Sequence, residues 1–103
     1  MTSEEIKERV IAALRTCYDP EIPVNIYDLG LIYELNIDEA GMVEIKMTLT
    51  APGCPVAASF PGLVASRVRG VEGVADVVVE LVWDPPWDRS RMSQAALVEL
   101  GML

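Results

Sequence analysis

The stretch "TLTAPGCP", residues Thr48 to Pro55, contains the thiol of Cys54, the side chain of this protein best suited to covalent or metal chemistry. A strand-like alternation precedes the stretch and a helix-like pattern follows it, so the thiol is expected in a turn. A thiolate is both a nucleophile and a ligand for iron and other metal ions. Cys54 is therefore either a functional thiol or a small residue that suits a tight turn.

The remaining residue types limit what this thiol can do. The sequence has no His and two cysteines, Cys17 and Cys54, which do not form a C-x-x-C pair. Nucleophile pairs built on His and zinc sites built on imidazole are therefore excluded. Since Fe–S clusters ordinarily take four thiolates, a cluster bound through Cys54 would be completed by another chain or by outside thiols.

Composition predicts one domain over residues 1–103 and an acidic surface. The chain is 51% hydrophobic, which suits one packed core, and 16 acidic residues against 8 basic ones give a formal net charge of −8. No basic run supplies the attraction to phosphate that nucleic-acid binding requires. Nucleic acid is therefore not an expected partner.

The apolar segments are too short for a membrane span. None approaches the roughly 20 apolar residues that a spanning helix needs. Residues 1–15 are polar and acidic, whereas a secretory signal has a basic start and an apolar core. We expect a cytoplasmic protein with no membrane partner.

Hydrophobic periodicity predicts the elements that precede Cys54. Thr2 and Glu5 have capping-box spacing, and an apolar stripe continues at helical intervals to Cys17, which is expected to be a small core residue. Residues 31–37 and 43–49 alternate on either side of a turn, which predicts an antiparallel hairpin. On this pattern one face of the first strand carries Leu31, Tyr33, Leu35 and Ile37, while Ile32 lies on the other, and Thr48 falls on the wet face.

The second half of the chain predicts a helix, a strand and a short helix. The helix ends near Arg69 and begins either at Pro55 or later, with Ser59 as its cap. Residues 74–83 are rich in β-branched side chains, and Ser93 can cap a last helix that ends near Gly101. The expected fold is α/β (α+β, two-layer), a small mixed three-stranded sheet with helices on one face, in the order α-β-β-α-β-α.

This topology brings three loops together. A right-handed helical crossover makes the third strand parallel to the second, so the start of strand one and the ends of strands two and three share one edge. The loops "DPEIPVNIYDLG", "TAPGCP" and "WDPPWD" are therefore predicted neighbours. A thiolate beside carboxylates and threonine hydroxyls is a partial ligand set for iron or another divalent ion.

Trp83 and Trp87, in the last of these loops, have two interpretations. They can plug the end of the sheet over the core. Alternatively they anchor a surface for client proteins, because Trp is enriched among the residues that dominate protein interfaces.

Three blocks together, "DPEIPVNIYDLGLIY", "MTLTAPGCP" and "VELVWDPPWDRSRMSQAALVELGM", resemble the SufT and PaaD-like family of small Fe–S cluster assembly proteins. The similarity covers nearly the whole chain in the same order. It implies a fold of the Fe–S-cluster-assembly-domain type and a non-enzymatic role in cluster assembly and maturation. By position, the family's reactive cysteine falls on Cys54.

The resemblance also suggests site residues. The family's acidic signature falls on Asp19, Glu21 and Asp28, and Thr48 and Thr50 flank the cysteine turn. We therefore take as candidates Cys54, Thr48 and Thr50 for cofactor binding, Cys54, Glu21 and Asp28 for metal binding, and Trp83, Asp84 and Trp87 for partner binding.

Two features differ from the family pattern. Pro55-Val56-Ala57 follows the cysteine where many SufT-like sequences have Gly, and this suits a helix start. The chain also stops at Leu103 without the cysteine-rich region of PaaD-type proteins. The second feature favours general assembly associated with the SUF system.

Three functions follow as hypotheses. In the first, the protein is a maturation factor that transiently binds iron, an Fe–S cluster or a sulfur species through Cys54 and docks assembly proteins and apo-clients. In the second it is an adaptor without thiol chemistry, and in the third a small thiol enzyme, for which the general base is missing. A homodimer would be the simplest route to a cluster bridged by two copies of Cys54.

Overall fold

A computed structural model describes residues 2–19, 22–50 and 59–101, and its elements follow the predicted order with one added 3-10 turn. The elements are α1 (Ser3–Leu14), β1 (Ile32–Ile37), β2 (Met42–Met47), α2 (Phe60–Arg69), β3 (Asp76–Leu81), the 3-10 helix (Arg89–Arg91) and α3 (Gln94–Glu99). The fold is α+β, as predicted. None of the helices within these ranges combines the length and hydrophobicity that crossing a bilayer requires.

The sheet has the predicted mixed topology. Its order is β1-β2-β3, with β1 antiparallel and β3 parallel to the central strand. The chain between β2 and β3 contains α2, because parallel neighbours need a long crossover. Met47, at the end of β2, is aligned with Ile32 at the start of β1 and with Leu81 at the end of β3. This register confirms the shared edge.

A bulge at Tyr33 changes the predicted faces of β1. Ile32 pairs with Met47 and Glu34 pairs with Lys46, so β1 has one more residue than its partner over this step. Because of the extra residue, Ile32 packs against the core although simple alternation placed it on the opposite face from Leu35. Within the described chain, Tyr33 itself has no cross-strand partner and, unlike Leu35, is not among the hydrophobic residues packed against the core.

The first helix begins as its capping box predicts. Thr2 accepts a hydrogen bond from the Glu5 amide at 3.2 Å through its side chain, which satisfies one of the amides left unpaired at a helix start. The helix ends at Leu14, so Cys17 lies beyond it rather than on its stripe. Cys17 is nevertheless 3% exposed, which confirms that it belongs to the core.

The core lies where α1 and α2 pack together and against the sheet. Its largest completely buried side chains come from α1, α2, β2 and the loop before β1: Val10, Leu14, Val24, Ile26, Leu29, Leu31, Val64, Val68, Ile45 and Met47. Ala96 of α3 is completely buried as well. The apolar residues of that loop therefore fix it to the core, in the way that a strand or helix is fixed by its buried face.

The later elements are shorter than the periodicity indicates. Helix α2 begins at Phe60, with Ser59 at the N-cap position and Pro61 in the first turn, where proline is tolerated. Strand β3 covers Asp76–Leu81 rather than 74–83. Ser93 caps α3 as predicted, since its hydroxyl oxygen accepts from the Ala96 amide at 3.1 Å.

Gly30 is the position where the loop before β1 tolerates no side chain. It has a φ of +81°, a conformation that L-residues rarely adopt. A Cβ built on Gly30 would overlap the backbone carbonyl of Arg91, which leaves no flexible atom to move aside. The close approach of these two backbones holds the loop against the 3-10 helix.

We expect Gly30→Ala to lower the free energy of unfolding by at least about 2 kcal/mol, because backbone strain and overlap act together. Chemical denaturation measures the change. Gly62→Ala is the first control: it lies in α2 with no heavy atom within 4 Å of the added Cβ, and should be neutral or stabilising by up to about 1 kcal/mol. Gly101 also has a positive φ, +73°, but no heavy atom within 4 Å of an added Cβ, so Gly101→Ala measures the backbone strain without the overlap. Equal losses for Gly30→Ala and Gly101→Ala would contradict the overlap.

Candidate functional site at the loop edge

Three segments meet where β1 starts and where β2 and β3 end. We call this region the loop edge and define it by its described residues, 22–31, 48–50 and 82–88. The first and third predicted loops are neighbours, as predicted. Of the second predicted loop, residues 50–55, the structure describes Thr50 alone. Cys54 and Glu21, two of the predicted site residues, lie outside the described residues.

Hydrogen bonds join the third segment to the first segment and to the start of β1. The Trp87 indole donates to the Leu29 carbonyl at 2.6 Å, and the Tyr33 hydroxyl donates to the Pro85 carbonyl at 2.8 Å. Both bonds connect residues more than fifty positions apart in the sequence. A loop that is bonded at two points to its neighbour is held in one arrangement at this edge.

Asp28 connects the first segment to α3. Its Oδ1 accepts from the Ser93 hydroxyl at 3.0 Å, and its backbone carbonyl accepts from the Ser93 amide at 2.8 Å. Its Oδ2 accepts from the Asn25 side-chain amide at 2.8 Å, and the Asn25 oxygen accepts from the Asp28 amide at 2.9 Å. The Asp28 side chain is 13% exposed, so this network lies largely away from water.

Arg15, which follows α1, adds a cation to this network. Its Nε is 3.7 Å from the Asp28 carboxylate, and its guanidinium lies over the Tyr27 ring, 5.0 Å from the centroid. The Arg15 side chain is about half exposed, so solvent weakens the ion pair. Arg15 thus joins α1 to the acidic loop through both charge and ring contact.

The two candidate threonines differ in exposure. Thr48 is 1% exposed although alternation placed it on the wet face, and its amide donates to the Leu31 carbonyl at 2.9 Å. Its hydroxyl contacts the Leu49 carbonyl at 3.5 Å. Thr50 is partly exposed and is the last described residue before the segment that contains Cys54. Thr48 is therefore part of the packed edge, and Thr50 faces solvent more.

The candidate partner-binding residues also differ in exposure. Trp83 is 39% exposed and Asp84 is exposed, whereas Trp87 is half-buried, packs against the core and bonds to Leu29. Trp87 therefore closes the end of the core, while Trp83 and Asp84 remain accessible to another molecule.

The described residues do not by themselves form a metal centre. Over 2–19, 22–50 and 59–101, no three acidic or cysteine side chains are grouped so as to hold an ion. Asp19 is buried and accepts from the Ile22 amide at 2.7 Å through Oδ2, which fixes the start of the acidic loop. Metal binding by Cys54, Glu21 and Asp28 stays a prediction.

The thiol of Cys17 is sequestered. It is a free, buried cysteine, and its Sγ lies 3.7 Å from the Ala13 carbonyl. Burial raises the pKa of the Cys17 thiol, and the Arg67 charge and a hydrogen bond with Thr16 only partly oppose this rise. A buried thiol with a raised pKa is a poor nucleophile and a poor metal ligand.

Sequence reasoning missed Asn25, Arg15 and the Tyr33 contact as parts of this edge. Asn25 lies inside the acidic loop, and a short polar residue three positions before Asp28 is a recognisable turn signal. Nothing in local sequence indicates that Arg15 reaches the loop. The Tyr33 contact depends on the bulge, which a period-two pattern does not reveal.

Comparison with known proteins shows the family of this chain. Residues 7–81 match the model of the iron-sulfur cluster assembly protein family, so the chain belongs to that family. It is 46% identical over 99 residues to a Porphyromonas gingivalis protein named Fe-S protein maturation auxiliary factor, with 96% of this chain and 94% of that protein covered. It is 41% identical to the Bacillus subtilis Fe-S protein maturation auxiliary factor YitW, with 96% and 97% covered.

A solved structure supports the same relationship. The crystal structure of a domain of unknown function from Bacillus anthracis superimposes with a TM-score of 0.87 and 36% identity, covering 98% of this chain and 96% of that one. The resemblance found in the sequence is thus confirmed at the level of family and fold.

We expect Asp28 and Ser93 to be energetically coupled. Ser93→Ala should lower the free energy of unfolding by about 0.5–2 kcal/mol through the lost cap. Asp28→Ala combined with Ser93→Ala should lose less than the sum of the single changes, by about 0.5–1.5 kcal/mol, because both remove the same hydrogen bond. Urea denaturation of the four proteins gives this coupling.

The matched control for this cycle is Thr2→Ala, which removes the same kind of cap from α1. Thr2 makes its side-chain contacts with Glu5 and none with Asp28. Thr2→Ala and Asp28→Ala should therefore be additive. Additivity between Asp28→Ala and Ser93→Ala as well would show that the bond between them does not stabilise the loop.

The pKa of Cys17 predicts a pH dependence of stability. Because burial raises this pKa in the folded protein, the unfolded chain releases the thiol proton first as pH rises. The Cys17 contribution is complete below the unfolded pKa of roughly 8.5 and is lost as pH rises above it. In a Cys54→Ser background, stability from pH 7 to 10 should fall more steeply with Cys17 present than with Cys17→Ala. Parallel curves would contradict the raised pKa.

Proposed function

We propose that this protein is a maturation factor of the SUF type, which assists delivery of Fe–S clusters to client proteins in the cytoplasm. The observation that carries the proposal is that residues 22–31, 48–50 and 82–88, the described parts of three family-like segments, meet at one edge of the sheet. Relatives that align over nearly the whole chain are named Fe-S protein maturation auxiliary factors, which supports the same role here. The role is assembly rather than turnover of a metabolite.

Cys54 is the proposed ligand for a transient cargo: iron, an Fe–S cluster or a sulfur species. The sequence has one other thiol, Cys17, whose burial removes it from this role. Thr50, four positions before Cys54 in the sequence, is partly exposed at the loop edge and is the better placed of the two threonines to assist. Thr48, which is buried and bonded to the Leu31 carbonyl, contributes by holding residues 48–50 in place.

The acidic loop supplies the proposed oxygen ligands, Glu21 and Asp28. Asp28 already accepts hydrogen bonds from Asn25 and Ser93. A carboxylate has about four lone-pair sites, so two such bonds leave it capacity for a metal ion. Its first role in our proposal is to position the loop, and its coordination of cargo is secondary.

Trp83 and Asp84 form the proposed docking surface for assembly proteins and apo-clients. Their exposure at the loop edge fits this role, and the buried bond of Trp87 to Leu29 orients the segment that carries them. A second copy of the chain is one such partner and would pair two Cys54 thiols.

The exposed Trp83 also supports a second candidate, an adaptor without thiol chemistry. Such a protein would need the docking surface but not Cys54. The two functions therefore respond differently to single substitutions.

We expect Cys54→Ser and Cys54→Ala to fold like the wild type but to fail to restore Fe–S enzyme activity in a deletion strain. The physical reason is loss of the proposed cargo ligand, since the other thiol, Cys17, is buried. Cys17→Ala is the matched control and should restore activity. Anaerobic reconstitution with iron and sulfide should give a cluster absorbance in the wild type and none in Cys54→Ser, and alkylation should label Cys54 faster than Cys17.

Full complementation by Cys54→Ser under iron limitation would remove the ligand role. If Trp83→Ala failed to complement in the same assay, the adaptor function would be favoured. Turnover of a thioester or disulfide by the purified protein, lost in Cys54→Ser, would instead indicate a thiol enzyme.

A further inference from the structure

A surface pocket of about 420 Å³ lies beside the loop edge, on the side of the bulge. Gly30, Ile32, Tyr33, Pro85 and Arg91 line it. Its volume falls within the roughly 300–1,000 Å³ typical of ligand sites. None of its polar side chains was among the predicted site residues.

The guanidinium of Arg91 is the distinctive group in this pocket. It lies over the Tyr33 ring, 4.5 Å from the centroid. Over the described ranges, no carboxylate lies within 4 Å of it and no hydrogen bond uses its N–H groups, whereas Arg15 and Arg69 each have a carboxylate partner. A stacked guanidinium uses its face on the ring and keeps its N–H edge available.

The pocket is held in shape before any ligand binds. The hydroxyl of Tyr33 donates to Pro85, which fixes the ring on which the guanidinium lies. The backbone of Arg91 rests against Gly30, and Met92, the next residue, is 9% exposed. Asp88 caps the 3-10 helix by accepting from the Ser90 amide at 2.8 Å. The charge is therefore presented from a fixed backbone.

The groups around Arg91 determine which class of anion the pocket favours. A planar guanidinium edge pairs best with a planar carboxylate, through two parallel hydrogen bonds. Burial raises the pKa of the Tyr33 phenol, the Arg91 charge opposes this rise, and Asp88 and Asp84 add to it, so two carboxylates lie near the pocket. The whole chain carries a net charge of −8. Multivalent anions are repelled by such a field more strongly than a single carboxylate is. Ile32 and Pro85 offer apolar contact beside it.

We infer that this pocket binds the carboxylate of a Glu or Asp side chain in an otherwise apolar segment of a partner protein. The inference rests on the proposed function, in which the adjoining edge docks assembly proteins or clients. Charge complementarity favours this occupant, because no carboxylate in the described part of this acidic protein lies within 4 Å of the Arg91 guanidinium. The nearby Asp88, whose pKa is lowered by hydrogen bonds from Ser90 and further by the Arg91 charge, lies beyond that distance.

The test is an NMR titration of the metal-free protein with acetyl-Leu-Glu-Leu-amide and with the neutral analogue acetyl-Leu-Gln-Leu-amide. The Glu peptide should shift the amide signals of Gly30, Tyr33 and Arg91 saturably. The Gln peptide should bind at least about tenfold more weakly, because it lacks the charge-assisted pair. Inorganic phosphate should bind more weakly than the Glu peptide.

The variants separate the effect of the Arg91 guanidinium from that of a nearby positive charge. Arg91→Gln should lose the preference for the Glu peptide, and Arg91→Lys should recover only part of it, since an ammonium lacks the planar fork. Arg89→Gln removes a charge from the same 3-10 helix and should bind like the wild type. Circular dichroism checks that each variant is folded.

Equal binding of the two peptides, tighter binding of phosphate, or equal losses in Arg89→Gln and Arg91→Gln would each overturn the inference. Cys54→Ser should bind the Glu peptide as the wild type does, because the pocket does not use the thiol. If the Cys54 experiments contradict the cargo role, the titration still tests the pocket. If the titration contradicts binding at the pocket, the proposed cargo role of Cys54 is unaffected.

Discussion

The arrangement of the loop edge depends on one constraint: the backbone of β2 pairs with a strand on each side. Because this strand is central, its last residue, Met47, aligns with the start of β1 and the end of β3. An antiparallel neighbour on one side and a parallel neighbour on the other bring two outgoing loops and one incoming loop to the same edge. A slip of either register would move Tyr33 away from Pro85 and the Trp87 indole away from Leu29.

The loop before β1 turns this constraint into a defined surface. Its apolar residues Val24, Ile26 and Leu29 are fully buried, and the polar residue Asp28 bonds to α3. Burial holds the loop against the core, while directional hydrogen bonds select one orientation. The described part of this loop, residues 22–31, is thus held in one arrangement against the sheet it enters. A rigid edge of this kind suits the proposed role, in which the protein holds cargo and partners together.

Charge and thiol chemistry are distributed unevenly over the molecule. Cys17 is sealed in the core with a raised pKa, which removes one of the two thiols from exchange and metal binding. The acidic surface reduces non-specific association with nucleic acid. On that surface Arg91 is a cation held on an aromatic ring, beside the edge where the family-like segments meet.

Local pattern was enough to predict the element order, the caps at Thr2 and Ser93 and the mixed sheet, because periodicity and capping act over a few residues. The shared edge followed from chain topology alone. The faces of β1 could not be predicted from the sequence, because one extra residue at Tyr33 reverses the period-two pattern and no local signal marks it. The tertiary structure alone decided that Arg15 reaches Asp28 and that Arg91 lies over Tyr33. These contacts join residues distant in sequence, and packing of the core determines which distant residues meet.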